Sequence, residues 1–256
     1  MIDALAAEWV KFRTLRANWM NLAVVAAAIA AVGLVALQAA GVWDRLPERD
    51  RPRFSLAYLP EVAVWVAALA LGILGVRMVT GEYASRMVVA TFTAVPRRRT
   101  VLVAKALVLA PLALAAGLAA AFGAAAVTGL VLGDRPIGSP DDQLPTLLCS
   151  ALVAMVYALV GLGVGAAMRS TAAGVAVLVA LWHLLPVVVT GMLPQPWQHR
   201  VGAVQLTALG RQLAGADDAG AMFGVLLSPG AAAAMLVLWI VVPLALGAVR
   251  MGRGDA

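Results

Sequence analysis

Charged residues are scarce in this sequence, and that scarcity sets the class of protein. Aspartate, glutamate, lysine and arginine together make up 12% of the chain, against about 25% in an average soluble domain. Hydrophobic residues make up 63% and fall in runs long enough to cross a bilayer as helices. The composition therefore predicts an all-α polytopic membrane protein, with residues 1–256 forming one transmembrane domain.

Cysteine, histidine and lysine are also few, and each shortage excludes a kind of chemistry. The single cysteine, Cys149, rules out an internal disulfide bond. Neither of the two lysines follows a glycine, so the chain has no phosphate-binding G-x-x-x-x-G-K-[ST] loop. His183 and His199 lack metal-binding spacing, and no serine has the G-x-S-x-G context of a hydrolase. We therefore predict no enzyme activity, catalytic residue, metal or cofactor on this chain.

Six apolar segments are predicted to span the membrane, and they are residues 20–42, 61–80, 101–132, 146–168, 172–193 and 229–249. The third would form about 48 Å of helix, against a hydrocarbon core of about 30 Å. It must project beyond the bilayer, tilt, or bend, and Pro111 and Gly117 are the expected bend positions. In the fourth span, Gly161-x-x-x-Gly165 indicates close helix packing. Residues 194–228 are predicted to be an extracytoplasmic segment.

Residues 3–19 precede the first span and have one apolar side if they are helical. That side consists of Leu5, Trp9, Phe12, Leu15 and Trp19. Glu8 and Arg16 interrupt it. The pattern predicts an amphipathic helix lying along the inner leaflet of the membrane. The alternative is a plain basic flank before the first span.

The basic residues indicate how the spans are oriented. With an even number of spans, both termini lie on the same side of the membrane. Placing them in the cytoplasm puts twelve of the nineteen lysines and arginines on that side, which agrees with the positive-inside rule. We therefore attribute the net charge of +6 to the orientation of the spans in the membrane, and we predict no nucleic-acid partner. We predict a multi-pass protein of the cell (plasma) membrane with cytoplasmic N and C termini.

The segment between the second and third spans, Gly81 to Lys105, has the features of a contact point for a soluble partner. It reads GEYASRMVVATFTAVPRRRTVLVAK. Pro96 disfavours helical backbone at the residue before it, so a short helix is expected to end near Val95. Three arginines follow at the predicted cytoplasmic surface. A soluble partner bound to such a helix would be able to move the membrane-spanning part.

Four side chains in the spans are candidates for lining a substrate path, and they are Tyr157, Trp182, His183 and Trp239. An ionisable group inside a membrane is a functional candidate, and His183 precedes Pro186 by three residues. The alternatives are that His183 is a hydrogen-bonded structural residue and that the tryptophans pack between helices. We expect no buried carboxylates, and their absence disfavours a proton-coupled carrier.

Several short motifs occur in a recognisable order along the chain. They are Glu8-Trp9-x-Lys11 in the amphipathic helix, Gly81-Glu82-Tyr83 and Pro96-Arg97-Arg98 around the short helix, and Lys105-Ala106 at the start of the third span. This order resembles the six-span permeases of ATP-binding-cassette (ABC) exporters of the type-two family, especially its actinobacterial members. The resemblance extends over the whole chain, and its most specific part is the G-E-Y…V-P-R-R run.

The resemblance implies a two-component machine driven by ATP. Residues 3–19 would be an elbow helix, and residues 83–95 a cytoplasmic coupling helix that docks on a separate ABC ATP-binding subunit. Two copies of that subunit, carrying ATP and Mg²⁺, would serve two permease chains, the second being another copy or a related chain. Tyr83 and Phe92 would be anchors within a charged rim. The implied ATPase-coupling residues are Glu82, Tyr83, Arg86, Phe92, Arg97, Arg98 and Arg99. The alternative for the arginines is a role in topology and lipid contact only.

The function expected from the sequence is export of a hydrophobic or amphipathic substrate, such as a drug, lipid or peptide, powered by the ATPase subunit. The first alternative is a non-transporting membrane scaffold or assembly subunit of an ABC-type complex. The second is a membrane-embedded enzyme, which the lack of clustered histidine, aspartate, cysteine and serine disfavours.

Overall fold

The computed structural model describes residues 2–51, 54, 59–85, 87, 98–135, 143–215 and 227–253. Every regular element in these ranges is helical, and six helices are long and apolar enough to cross a membrane. The prediction of an all-α polytopic protein with six spans is thereby confirmed.

The helices in chain order are α1 (Ile2–Thr14), α2 (Arg16–Arg45), α3 (Leu59–Ala84), α4 (Arg98–Leu132), α5 (Gln143–Met168), α6 (Thr171–Val179), α7 (Leu185–Met192), α8 (Trp197–Ala203), α9 (Leu206–Leu213) and α10 (Pro229–Arg253). A π-helical turn, Ala180–Leu184, joins α6 to α7 within the fifth span. The other five spans are α2, α3, α4, α5 and α10.

Helices α3 and α5 form the centre of the bundle because small residues let their backbones touch. A β-carbon added at Gly161 of α5 would collide with the carbonyl of Gly72, and one added at Gly165 would collide with the backbone of Val76. The close packing predicted from Gly161-x-x-x-Gly165 is thus confirmed. Close approach of this kind favours helix association in lipid, where the hydrophobic effect does not drive it. These two helices are accordingly the most buried spans.

The chain turns sharply at Leu15, so the predicted amphipathic stretch 3–19 is divided between two helices. Helix α1 ends just before Leu15, whose backbone is extended (φ −80°, ψ 109°), and α2 begins just after it. Asn18 and Trp19, in the first turn of α2, donate side-chain hydrogen bonds back to backbone carbonyls of α1. These bonds fix the angle at which α1 leaves the first span.

Helices α3 and α4 are both longer and more regular than their sequences predict. Helix α3 continues through Gly81 to Ala84 without a break, so it includes the start of the predicted coupling helix 83–95. Residue 86 and residues 88–97 lie outside the described ranges. Helix α4 has 35 residues and continues through Pro111, so the predicted bend positions do not interrupt it.

In the segment predicted to be extracytoplasmic, residues 194–228, the described part up to residue 215 folds back among the spans through α8 and α9. The indole N–H of Trp239 donates to the carbonyl of Val204, which lies between these two helices, at 3.0 Å. Trp239 is the eleventh residue of α10, about 15 Å from the start of that helix. The tip of the segment, the turn between α8 and α9, therefore lies inside the bundle. There the surrounding protein supplies hydrogen bonds that backbone groups could not obtain from lipid.

Candidate functional site

Four charged side chains meet where α1, α3 and α4 come together at one end of the bundle. The ammonium group of Lys105, on α4, donates to Oε2 of Glu8 at 2.7 Å and to Oε1 of Glu82 at 2.8 Å. Lys11 donates to Oε1 of Glu8 at 2.9 Å and to the same Oε1 of Glu82 at 2.7 Å. Lys105 is 2% exposed, Glu8 4% and Glu82 7%. We refer to Glu8, Lys11, Glu82 and Lys105 as the charge cluster.

The charge cluster balances two positive charges against two negative charges where little water reaches. Removing one such charge from water costs several kcal/mol, and a buried partner offsets that cost only when the contact geometry is good. Here each ammonium group contacts both carboxylates at distances of 2.9 Å or less. Both lysines of the chain are used in this way. The arrangement is stable only as a complete set.

Lys11 is the most exposed member of the charge cluster and lies outside the six spans. Burial acts to lower the pKa of its ammonium group. The hydrogen bonds to Glu82 and Glu8, together with their negative charges, act in the opposite direction, and the net effect is a raised pKa. Lys11 therefore stays protonated at physiological pH and keeps the two carboxylates paired.

The opposite side of the same end of α3 contacts the α5–α6 turn, and that turn contacts α10. The hydroxyl groups of Thr80 and Thr171 share a hydrogen bond of 2.7 Å. The guanidinium of Arg169 lies 5.5 Å from the centroid of the Tyr83 ring and donates to the carbonyl of Arg250 at 2.6 Å. Arg169 has left-handed backbone (φ 55°), which reverses the chain between α5 and α6 in two residues. The last turns of α3 are thus held on both sides.

The residues predicted at the ATPase-coupling interface are placed differently from one another. Glu82 and Tyr83 make contacts within the chain, so the Glu82 carboxylate is directed into the bundle and away from a surface rim. Arg98 begins α4, and the side chain of Arg99 is exposed beside it. The predicted interface residues outside the described ranges are Arg86, Phe92 and Arg97.

Three of the four candidate path residues lie together in the middle of the bundle. The rings of Tyr157 and Trp182 are in close contact, with 3.8 Å between centroids and an angle of 59° between their planes, and both side chains are buried. Tyr157 and Trp239 line one cleft beside α9, and Trp182 lines a neighbouring cleft. His183 is exposed at the bundle surface, so the structure does not bring it to either cleft. The π-helical turn carries Trp182 and His183, and such turns are frequent at functional sites.

The sequence analysis named Glu8, Lys11 and Lys105 only as parts of motifs and did not predict them as site residues, although a signal was present. Glu8 interrupts the apolar side of α1, and a charge at such a position requires a buried partner. The chain offers only two lysines as ammonium partners in 256 residues, and both are used. The expectation of no buried carboxylates is wrong, because Glu8 and Glu82 are both buried.

No protein-family model matches the chain, and a search of curated proteins finds no match. The fold and the site therefore define the class of protein on their own. It is a six-span α-helical membrane protein with a buried charge cluster at one end of the bundle and aromatic clefts in its middle.

Proposed function

We propose that this chain is the membrane-spanning permease subunit of an ATP-driven ABC exporter. A separate ATPase subunit binds ATP and Mg²⁺ and hydrolyses ATP, and the permease moves a hydrophobic or amphipathic substrate. Two permease chains, identical or related, pair in the cell membrane and bind two ATPase subunits. The charge cluster and both termini lie on the cytoplasmic side.

The observation that most supports this proposal is the convergence of the motifs on which the resemblance rests. Glu8-Trp9-x-Lys11, Gly81-Glu82-Tyr83 and Lys105-Ala106 are far apart along the chain, with 97 positions between Glu8 and Lys105. Their charged residues nevertheless form one buried cluster. A shared contact gives the three motifs a physical reason to occur together, which short motifs without contact would lack.

The charge cluster lies beside both ends of the segment that we assign to ATPase docking. Helix α3 ends two residues after Glu82, and α4 begins seven residues before Lys105. Because the cluster joins these helices to α1, a force applied to the docking segment displaces three helices together. Ion pairs tolerate little change in distance, so they fix the positions of the three helices more narrowly than apolar contacts would.

A second route leads from the same end of α3 to the other half of the bundle. Tyr83 and Thr80 contact Arg169 and Thr171 of the α5–α6 region, and Arg169 contacts α10. The fifth span and α10 border the aromatic clefts. Movement of the docking segment therefore reaches the helices that surround the candidate substrate path.

Purification of the tagged chain from its own cells in mild detergent tests the proposal. We expect a stoichiometric soluble subunit carrying a G-x-x-x-x-G-K-[ST] loop to co-purify. Reversing the charges of Arg97, Arg98 and Arg99 together with Phe92→Ala should reduce its recovery about tenfold or more, because these residues supply the rim and an anchor of the docking segment. Reversal of Arg45, at the end of α2, with Arg49 and Arg53, which follow it in the sequence, is the matched control and should leave recovery unchanged.

Two results would count against this assignment. Recovery of the folded chain without any ATPase would overturn the exporter proposal. An intact and active complex after reversal of all three arginines with Phe92→Ala would show that the docking segment is wrongly placed. An ATPase that co-purifies but never moves the permease would favour the scaffold alternative.

A further inference from the structure

The cleft beside Tyr157 and Trp239 contains an amide group that the protein leaves without a partner. The cleft holds about 350 Å³ of space when its open mouth is included. It lies at the tip of the segment that folds back among the spans, and Gln205 lines it. Gln205 is 3% exposed. Among the residues that the structure describes, neither Oε1 nor Nε2 of Gln205 has a hydrogen-bond partner.

A second glutamine of this segment shows that burial alone does not leave a side-chain amide without partners. Gln212 is equally buried, yet its Nε2 donates to the carbonyl of Ala203 at 2.8 Å and its Oε1 accepts from the backbone N–H of Leu227 at 2.8 Å. Gln212 thus holds the folded-back segment together. A buried polar group without a partner costs free energy, and native proteins avoid it unless water or a ligand supplies the missing bonds. Gln205 therefore points to a bound group.

The chemistry of the cleft narrows what that group is. Gln205 presents an acceptor and a donor side by side, and a hydroxyl group can donate to Oε1 while it accepts from Nε2. A trans peptide group directs its N–H and C=O in opposite directions. One such group can therefore bond to Oε1 or to Nε2 of Gln205, but not to both. The cleft is otherwise lined by Leu, Val, Pro, Thr, Tyr and Trp. Among the described residues that line the cleft, none carries a charge that would compensate a charged ligand.

The apolar part of such a ligand would come from the membrane. Leu181, Leu185 and Pro186 line the cleft and are partly exposed at the surface of the fifth span. Their neighbours Leu184 and Val187 are exposed on the same span, so the mouth of the cleft is bordered by an apolar surface. The cleft itself has room for about one water-sized group, which is the size of a hydroxyl.

We propose that Gln205 binds the hydroxyl group of an uncharged, long-chain amphiphile that enters from the bilayer. The hydroxyl lies inside the cleft against the amide of Gln205. The alkyl chain of the amphiphile lies along Leu181, Leu185 and Pro186. That this amphiphile belongs to the class of exported substrates rests on the proposed function. The binding itself requires only this chain.

Photolabelling of the purified full chain in nanodiscs, with a diazirine-bearing hexadecanol, tests the proposal. Unlabelled 1-hexadecanol should compete about tenfold better than its methyl ether, because the ether accepts from Nε2 but cannot donate to Oε1. Hexadecyltrimethylammonium, which is charged, should not compete. Gln205→Leu should reduce labelling of the cleft about tenfold. Gln38→Leu, the same change at an exposed position of the first span, should leave labelling unchanged.

Equal competition by the alcohol and its ether, or equal labelling of wild type and Gln205→Leu, would overturn the proposal and indicate that the amide binds only water. If Gln205→Leu does not fold, the competition between the alcohol and its ether on the wild-type chain still tests the proposal. Failure here is distinguishable from failure of the exporter proposal, because this assay contains no ATPase. Selective binding in this assay, combined with a purification from which no ATPase is recovered, would retain the site and reject the exporter.

Discussion

Lys105 is the residue on which the charge cluster depends most. Its ammonium group contacts both carboxylates and is the least exposed of the four members. Removing one partner of a buried ion pair leaves the other charge buried and uncompensated, which costs about 3–5 kcal/mol. The cluster is therefore a condition for the packing of α1, α3 and α4 and is not an optional addition to it.

Lys105→Met should lower the free energy of unfolding by about 3–5 kcal/mol, because one ammonium group would remain against two buried carboxylates. Unfolding by SDS in mixed micelles measures this change. Asp44→Asn is the control, since Asp44 pairs with Arg135 at an exposed position, where an ion pair contributes little. Similar losses from both substitutions would contradict the assignment of a buried cluster.

Lys11 gives the charge cluster a defined dependence on pH. Its pKa is raised above the ordinary value of 10.5, so its stabilising contribution is fully present below that pH. The contribution is lost as the pH rises through the higher pKa of the folded protein. We expect the difference in unfolding free energy between wild type and Lys11→Met to shrink above about pH 10.5. A difference that is constant through this range would show that the Lys11 charge does not stabilise the cluster.

The charge cluster marks the limit of what the sequence predicts at the scale of residues. Each of its members is visible as a charge in a mostly apolar chain. Their contact is not visible, because Glu8 and Lys105 come together only when α1 packs against α4. The burial of Gln205 is likewise not visible in the sequence. It depends on the position of residues 194–228, whose moderate polarity predicts a place outside the membrane.

At the scale of helices, the contact between α3 and α5 sets the architecture. A β-carbon at Gly161 would meet the backbone of Gly72, and backbone cannot move aside as a flexible side chain can. Parallel α3 and α5 therefore form a rigid pair around which the more exposed spans are arranged.

Gly161→Ala should lower the free energy of unfolding by about 1–3 kcal/mol, because the helices must separate to accept a methyl group. Gly129→Ala, in α4, is the matched control, since an added β-carbon there has no atom within 4 Å. Its effect should be within about 0.5 kcal/mol. The same unfolding assay measures both, and an equal effect of the two substitutions would contradict the close packing.

Hydropathy predicts the six spans because bilayer thickness sets the length of an apolar helix. It does not predict the details that tertiary contacts decide. The corner at Leu15 is fixed by side chains that bond back to α1. Gly81 follows the predicted second span, 61–80, yet it lies inside α3, where the ion pairs of the next residue, Glu82, hold the last turn in place. The π-helical turn has no signal in its composition.

At the scale of the whole molecule, the structure connects two regions of the bundle that have different roles in the proposed function. The charge cluster joins the helices around the docking segment, and the aromatic clefts lie among the spans at a distance from it. Contacts of Tyr83, Arg169 and Arg250 link the two regions. The central claim is that ATP bound to the partner changes the clefts through these contacts.

The most direct test measures access to Thr207, which lines both clefts. Thr207→Cys, in a chain with Cys149→Ala, is labelled with a membrane-impermeant maleimide in the purified complex, without nucleotide and after trapping with ATP and vanadate. We predict that trapping changes the labelling rate about tenfold, and that Glu82→Gln abolishes this change while ATP is still hydrolysed. Leu130→Cys, at an exposed position of α4, should react equally in both states. An unchanged labelling rate at Thr207→Cys, in a complex that hydrolyses ATP, would contradict the exporter proposal and favour the scaffold alternative.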